Sequence, residues 1–505
     1  MKPQSIRELA IRLTRRRSVT NTADEAAFGP FLSKLLHSEF PGLDRVWREP
    51  TAPGDPFPGR EIVLALCRRG GTKTVLLTGH YDTVATTNFG PALEPHACDP
   101  EALAPLLIED LRKSGANPQA LADLESGQFL PGRGLLDMKG GLAAGLAVLR
   151  RFAEDPASEG NLLFAAVPDE EVASNGMRSL AARLPGICAE HDLNIRLAIN
   201  LDSEVDNGDG SQGRAIFLGS VGKLLPLVVF LGRPAHAGAP FDGVNATLLM
   251  AEFIRQVESN PQRGETGSAS PPAPPVVLYA RETRDHYDVT MPQSAWCAVN
   301  VLTHTESAAA ILARFRSLAE ESIRTALITL RDRSGGRLPK WQGTVLTVAD
   351  LRGEACRDPS IEACAAWMQQ TAAQAGIEGP AAIVGFAPPF YPRAEWKGSG
   401  EPLRQIEAAR DPGVSVRPYF PGISDMSFLN PVADGSAEHV QANCPAPLPG
   451  GTSIRIPAVN IGPWGRDYHQ KLERIHAGYA FEVLPELLWR TVRNVLSASS
   501  HRPRS

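Results

Sequence analysis

The chain has 505 residues, of which 43% are hydrophobic, and a formal net charge of -5 at pH 7. That length is enough for a large core and predicts two or more domains. The near-balanced charge indicates neither a nucleic-acid partner nor a membrane surface, and no apolar run is long enough to span a bilayer. The seven cysteines follow no C-x-x-C spacing, and their odd number favours a reducing cytoplasm.

In chain order, short apolar strands alternate with helical segments near the beginning and the end of the sequence. The strands are predicted at residues 74–78, 161–167, 196–201 and 458–462. A helix is predicted over residues 138–153, because Leu142, Leu146 and Leu149 share one face. Strands that alternate with helices predict an α/β sheet whose strands are buried and largely parallel.

The middle of the chain has a different, β-α-β-β-α pattern. Strands are predicted within residues 217–231 and near 276–278 and 295–302, and helices at 247–257 and near 308–327. This pattern predicts a small α+β domain, ferredoxin-like in order, that is inserted into the first domain. The predicted catalytic domain is therefore formed by two segments, residues 1–212 and 336–505, and the inserted domain by residues 213–335.

Histidines and carboxylates follow the strands of the predicted α/β sheet. The candidates are His80, Asp82, Asp137, Glu170, Glu171, Asp202 and His469, with Asp137 just before the predicted helix. Because the carboxyl ends of parallel strands share one edge, we expect these side chains to meet in one crevice. So many carboxylates would repel one another unless cations neutralise them. Imidazole and carboxylate ligands without a thiolate suit divalent metal ions, zinc in the first place, with manganese or cobalt as alternatives.

Each of these residues also has an ordinary structural explanation. His80-x-Asp82 could be a turn after a strand, and the pair Glu170-Glu171 could be a solvated surface pair. Asp202 could cap a helix, and His469 could lie on the surface. Their joint occurrence after successive strands favours the metal site.

Several sequence blocks resemble one known family of enzymes. The blocks are Gly79-His80-Tyr81-Asp82, Gly132-x-Gly134 with Asp137-Met138-Lys139-Gly140-Gly141, Asp169-Glu170-Glu171, and Ala235-His236-Ala237-Gly238 followed by Gly243-Val244-Asn245-Ala246. They resemble the co-catalytic zinc metallopeptidase and aminoacylase family, which includes carboxypeptidase G, peptidase T and succinyl-diaminopimelate desuccinylase. The resemblance spans about residues 18–250 and 415–480. Residues 387–389 and 421–427 are similar to the branch of the family that serves arginine utilisation.

The resemblance implies a zinc-exopeptidase-like catalytic domain, with a mixed sheet flanked by helices, and an inserted lid that also forms a homodimer. It implies the following ligand set: His80 and Asp202 on one metal, Glu171 and His469 on the other, and Asp137 bridging both. Asp82 would orient the ring of His80, and Glu170 would act as the general base. His236, from the lid, would reach the active site of the partner subunit.

The implied activity is hydrolysis of an amide bond in N-acyl amino acids or short peptides, within arginine or related amino-acid catabolism. A ureido or carbamoyl amidohydrolase is an alternative, because the same dinuclear site attacks those carbonyls. A non-catalytic ligand-binding protein that retains the fold is a second alternative.

Three features of the sequence depart from the family pattern or leave an assignment open. Glu204 competes with Asp202 as the fourth ligand. The strand at 297–302 lacks the Asp-x-Arg that is usual in the family, so the arginine that binds a substrate carboxylate has three candidates, Arg281, Arg284 and Arg393. An insertion near residues 88–130 is expected to loop out between Asp82 and Asp137.

Overall fold

The computed structural model describes residues 2–52, 55–265, 272–284, 286–396, 401–448 and 454–497. Its helices are α1 Pro3–Arg15, α2 Ala23–Glu39, α3 Pro100–Ser114, α4 Pro118–Glu125, α5 Gly140–Glu154, α6 Asn175–His191, α7 Ala246–Val257, α8 Ala308–Arg333, α9 Ile361–Gln374, α10 Glu401–Ala409, α11 Ser436–Ala442 and α12 Leu484–Ser497.

The strands follow the same chain order. They are β1 Arg45–Pro50, β2 Glu61–Arg68, β3 Lys73–His80, β4 Phe129–Pro131, β5 Asn161–Val167, β6 Asn194–Asn200, β7 Glu204–Val205, β8 Ala215–Phe217, β9 Gly219–Ser220, β10 Gly222–Leu231, β11 Val276–Glu282, β12 Ser294–Thr303, β13 Thr344–Thr347, β14 Ala381–Tyr391, β15 Ala394–Glu395, β16 Ser415–Arg417, β17 Ala458–Asn460, β18 Trp464–Arg466 and β19 Arg474–His476. No helix in the described ranges is long and apolar enough to cross a membrane.

The first sheet has eight strands in the order β1-β2-β5-β3-β6-β17-β8-β16. The central strands β5, β3, β6 and β17 are parallel, whereas β1 and β2 are antiparallel to their neighbours. Every residue of β5 is buried, because helices cover both faces. Side chains from α1, α2, α5 and α12 form the core on one face, and side chains from α6 contribute to the core on the other. The predicted α/β class with a mixed sheet is confirmed.

The second sheet has five strands in the order β11-β12-β10-β14-β13. Side chains from α7 and α8 pack against one face and side chains from α9 against the other. Strands β13 and β14 lie beyond the predicted border at residue 335, because the chain adds a further β-α-β unit after α8. These two strands are parallel, and α9 is the crossover helix that such a pair requires.

The insertion after β3 forms a small helical unit rather than an open loop. Helices α3 and α4 have their own apolar core, which includes Leu103, Leu107 and Leu124. Helix α3 begins at Pro100, and the Asp99 side chain accepts hydrogen bonds from the first turn of that helix.

The register of the first sheet brings the polar segments to one edge. His80 at the end of β3 is paired with Val167 at the end of β5, and Thr78 is paired with Asn200 at the end of β6. Helix α5 begins beside the same strand ends and passes β6 very closely. A Cβ atom on Gly141 would lie 2.2 Å from the carbonyl oxygen of Leu201, so this approach requires glycine.

We predict opposite effects on stability for two helical glycine substitutions. Gly141→Ala should lower the free energy of unfolding by about 1–3 kcal/mol, because the methyl group pushes α5 away from β6. Gly186→Ala, in α6, is the matched control: a Cβ there meets no atom within 4 Å, so alanine should raise stability by about 0.5–1 kcal/mol. Urea denaturation measures both variants, and equal stabilities would contradict the packing described here.

Candidate metal centre

The five sequence-predicted metal ligands lie together at the carboxyl edge of the first sheet. Asp137 is central: its Oδ1 lies 3.1 Å from Nε2 of His80, and its Oδ2 lies 3.1 Å from Nε2 of His469. Glu171 Oε2 lies 3.0 Å from the same His469 nitrogen. Asp202 Oδ1 lies 3.7 Å from Nε2 of His80. The Asp137 carboxylate therefore stands between two groups of donors, each with one imidazole and one further carboxylate.

Asp202 and Glu204 differ in how the structure holds them and in whether they line the cavity. Asp202 follows β6, and its backbone N–H donates to Oδ1 of Asn460 at the end of β17 (3.1 Å). The Asn460 amide returns a bond to the carbonyl of Asp202 (2.8 Å), which holds this segment at the strand ends. The Glu204 carboxylate instead accepts a hydrogen bond from the backbone of Val205 (2.9 Å), and its side chain does not line the cavity beside the cluster.

Asp82 connects two of the segments that form the site. Its buried carboxylate lies 3.5 Å from Nδ1 of His80 and accepts a hydrogen bond from the Thr20 hydroxyl (2.8 Å). It also accepts bonds from the backbone N–H groups of Glu170 and Glu171, at 3.1 and 3.3 Å. The sequence indicated only a contact with His80, whereas the structure shows that Asp82 also holds the glutamate pair in place.

Asp169 anchors the other side of the same loop. Its backbone has a left-handed conformation, with φ at 68°. Its carboxylate accepts a hydrogen bond from Nη1 of the buried Arg60 (2.6 Å) and another from the backbone of Asn175 (3.0 Å). These bonds fix the direction in which the two following glutamates leave the strand.

The cluster holds more negative charge than its own groups neutralise. Burial raises the pKa of Glu170 well above its usual value, and the nearby charges of Asp202 and Asp425 add to the rise. Burial also raises the pKa values of Glu171 and Asp202. Burial opposes protonation of His469, yet its hydrogen bonds to carboxylates raise its pKa to about 10. Raised pKa values of both the carboxylates and the imidazole indicate a site that favours bound protons or cations.

The donor set fits divalent metal ions. Donor atoms of His80, Asp137 and Glu171 all lie within 4.8 Å of one another. Oε1 of Glu171 is buried and has no hydrogen-bond partner among the described residues, so a cation would satisfy it. Imidazole and carboxylate donors without thiolates suit zinc, manganese or cobalt.

A cavity of about 330 Å³ opens beside the cluster. Glu170 lies in its wall, with Oε2 4.0 Å from Nε2 of His80. The other lining residues outside the cluster include Val172, Lys223, Tyr391, Phe420 and Tyr468. No sequence motif surrounds Lys223 or Tyr468, and only the fold brings these two residues to the cavity.

The remaining candidates lie away from this cavity. His236 is exposed on the second sheet's side of the molecule, where its Nδ1 accepts a hydrogen bond from the backbone of Gly238 (3.0 Å). The three candidate arginines pair with other acids: Arg281 with Glu362, Arg284 with Glu282, and Arg393 with Asp434. None of these four residues lines the cavity in the described ranges of this chain.

The helical insertion is joined to the loop that carries His469. The Asn88 amide donates to the backbone carbonyl of His469 (2.9 Å) and accepts a bond from Nη2 of Arg133 (3.0 Å). Arg133 forms a buried ion pair with Glu473 and lies four residues before Asp137. His469 has φ at 62°, a conformation that a non-glycine residue keeps only when its surroundings enforce it. Asn88 therefore helps to position His469.

We predict that Asn88→Ala weakens metal binding. The loop of His469 loses one of its restraints, and loss of a supporting contact typically lowers metal affinity by about 10–100-fold. The measurement is zinc affinity by competition with a chelator. Asn117→Ala is the control, because Asn117 lies in the same insertion but caps α4 by accepting from the backbone of Ala120 (2.9 Å). It should cost about 1 kcal/mol of stability and leave the affinity unchanged. Equal zinc affinity in Asn88→Ala and wild type would contradict the positioning role.

Comparison with known proteins identifies the family to which this chain is similar. The chain is 30% identical to the uncharacterized protein YqjN of Bacillus subtilis (strain 168) over 485 residues, which cover 87% of each chain. It is 28% identical to the protein RocB of the same organism, over 95% of this chain and 93% of RocB.

Solved structures show the same fold at lower identity. A tripeptidase from Staphylococcus aureus superimposes with a TM-score of 0.57 at 18% identity, covering 99% of this chain and 100% of its own. The YXEP protein of Bacillus subtilis, described as a dinuclear metal-binding peptidase from the M20 family, superimposes with a TM-score of 0.51 at 12% identity, covering 98% and 99%. The model of peptidase family M20/M25/M40 matches residues 114–498. With most of its length matched, the chain belongs to peptidase family M20/M25/M40.

Proposed function

We propose that the protein is a dinuclear metal-dependent hydrolase that cleaves an amide bond in N-acyl amino acids or short peptides. The observation that carries this proposal is the Asp137 carboxylate between His80 and His469, with the Glu170 carboxylate beside them in an open cavity. The description of YXEP as a dinuclear metal-binding peptidase supports it. Zinc is the first choice for the metal, with manganese or cobalt as alternatives.

Each residue of the cluster then has a chemical role. His80 and Asp202 would hold one cation, Glu171 and His469 the other, and Asp137 both. Cations held there would supply Lewis acidity, which lowers the pKa of water and polarises a substrate carbonyl. Glu170 would accept the proton of the water that attacks the carbonyl carbon, and would deliver it to the amine as the C–N bond breaks. Asp82 keeps the ring of His80 oriented.

The proposal includes a role in the breakdown of arginine or related amino acids. The similarity to RocB over nearly the full length of both chains supports this role. Substrate panels should therefore include N-acyl arginine alongside other N-acyl amino acids and dipeptides.

We predict that Glu170→Gln abolishes turnover and retains the metal. The glutamine cannot accept a proton, so the rate should fall by about 100-fold to 10,000-fold. Amine release from a panel of N-acyl amino acids, dipeptides and N-carbamoyl amino acids measures activity, and elemental analysis measures metal content. Glu204→Gln is the matched control, because it removes a half-buried carboxylate two residues from Asp202 that does not line the cavity; it should keep both activity and metal.

Two outcomes would count against this assignment. A fully active Glu170→Gln variant would remove Glu170 from the reaction. Wild-type protein that binds no metal, and stays inactive after addition of zinc, manganese or cobalt, would favour the ligand-binding alternative. Cleavage restricted to N-carbamoyl amino acids would instead identify a carbamoyl amidohydrolase with the same site.

We also propose that the protein acts as a homodimer in which His236 serves the partner's cavity. His236 is exposed and outside the cavity of its own chain, so it needs a second copy to reach a reacting group. Strand β11 forms an edge of the second sheet and exposes Val276 and Leu278 (37% and 49%), which supports pairing of two copies along this strand.

We predict that two inactive variants restore activity when they form mixed dimers. In a dimer of Glu170→Gln with His236→Ala, one of the two sites contains both wild-type residues. After denaturation and joint refolding, half of the dimers should be mixed, so activity should return to about a quarter of the wild-type value. Size-exclusion chromatography with light scattering confirms the dimer. No recovery in verified mixed dimers, or a fully active monomer, would contradict the role in trans.

A further inference from the structure

Lys223 is a cation in a cavity whose charged walls are otherwise mostly acidic. It is the second residue of β10, and its backbone is paired with Tyr391 in β14. The side chain lines the same cavity as Glu170 and Asp202, and its ammonium lies 5.9 Å from the centre of the Tyr391 ring. The second sheet therefore contributes one positive charge to the wall that faces the metal cluster.

The ammonium of Lys223 has no acidic partner in the described ranges, since no carboxylate there lies within ion-pair distance. Three other buried cations have direct partners: Arg60 and Arg133 pair with acids, and the Nζ of Lys139 donates to the carbonyl of Arg16 (2.7 Å). Partial burial lowers the pKa of Lys223, although the charge of Glu170 acts in the opposite direction. A desolvated ammonium without a partner is unfavourable, and an anionic ligand group would remove that cost.

The surroundings identify the kind of group that would bind there. The cluster acids are the groups that hold cations in the proposed function, so their charge is neutralised when the site is loaded. The ammonium of Lys223 is then the charged group that remains available to a substrate whose carbonyl lies at the cluster. Tyr391 and Phe420 line the same cavity and reduce its exposure to water, which strengthens a charged hydrogen bond. The arginines considered from the sequence are paired elsewhere.

We propose that Lys223 binds a free carboxylate of the substrate, so that the cavity selects N-acyl amino acids and peptides with an unblocked carboxyl group over the corresponding neutral amides. This inference rests on the proposed hydrolase function. It assigns the specificity contact to the start of β10, rather than to Arg281, Arg284 or Arg393.

The experiment compares Lys223→Met with wild type on a matched pair of substrates. The pair is the N-acetyl amino acid that wild type cleaves fastest and the carboxamide of the same molecule. Loss of a charge-assisted hydrogen bond should raise KM for the carboxylate substrate by about tenfold or more, with a smaller change in kcat. KM for the carboxamide should change by less than about twofold, and Lys223→Arg should recover some of the loss. Arg281→Met is the control and should match wild type.

A separate binding measurement distinguishes failure of this inference from failure of the proposed function. Calorimetry with N-acetyl-L-alanine and N-acetyl-L-alaninamide, on zinc-treated wild type and Lys223→Met, needs no turnover. Tighter binding of the carboxylate by wild type, lost in Lys223→Met, supports the inference even if no panel substrate is cleaved. Equal losses of affinity for both ligands would show that Lys223 only balances the charge of Glu170, and would overturn the inference. Wild type that does not prefer the carboxylate would overturn it as well.

Discussion

Negative charge concentrated at the carboxyl edge of the first sheet is the constraint on which the rest of the structure depends. Five carboxylates, those of Asp82, Asp137, Glu170, Glu171 and Asp202, share one largely buried crevice with two imidazoles. Two like charges about 4 Å apart repel by about 4 kcal/mol at an effective dielectric constant of 20. Such a cluster persists only if its groups take up protons or bind cations, and the raised pKa values of the histidines and glutamates show that tendency.

The protein surrounds this cluster with buried ion pairs that fix its geometry. Arg60 holds Asp169 behind the glutamate loop, and Arg133 holds Glu473 behind the loops of Asp137 and His469. A buried ion pair contributes little net stability, because the cost of removing both charges from water is comparable with their attraction. These pairs are therefore better explained by the need to orient the donors than by the need to stabilise the fold.

The sequence predicted those features of the site that are local in the chain. A strand that ends at His80, or one that ends three residues before the Glu170-Glu171 pair, is visible in a few residues, and parallel pairing brings such strand ends together. The features it missed depend on partners far apart: Glu473 is 340 residues from Arg133, and Asn88 is 381 residues from His469. Strands β13 and β14 depend on distant partners in the same way, since they follow the long helix α8 and join a sheet whose other strands lie earlier in the chain.

The two connections between the sheets place Lys223 in a position that suits the recognition role proposed for it. Strand β9 leads into β10, strand β14 leads into β15, and β9 and β15 pair with each other as a short antiparallel ribbon. If the second sheet rotated about this ribbon, each of its residues would move in proportion to its distance from the ribbon. Lys223 lies three residues beyond β9, so it would stay close to the metal cluster. Leu231, at the far end of the ten-residue strand, lies about 26 Å further along at about 3.3 Å per residue, and His236 follows it. The recognition contact proposed for Lys223 and the assembly proposed through His236 would therefore lie at opposite ends of the same strand and need not interfere with each other.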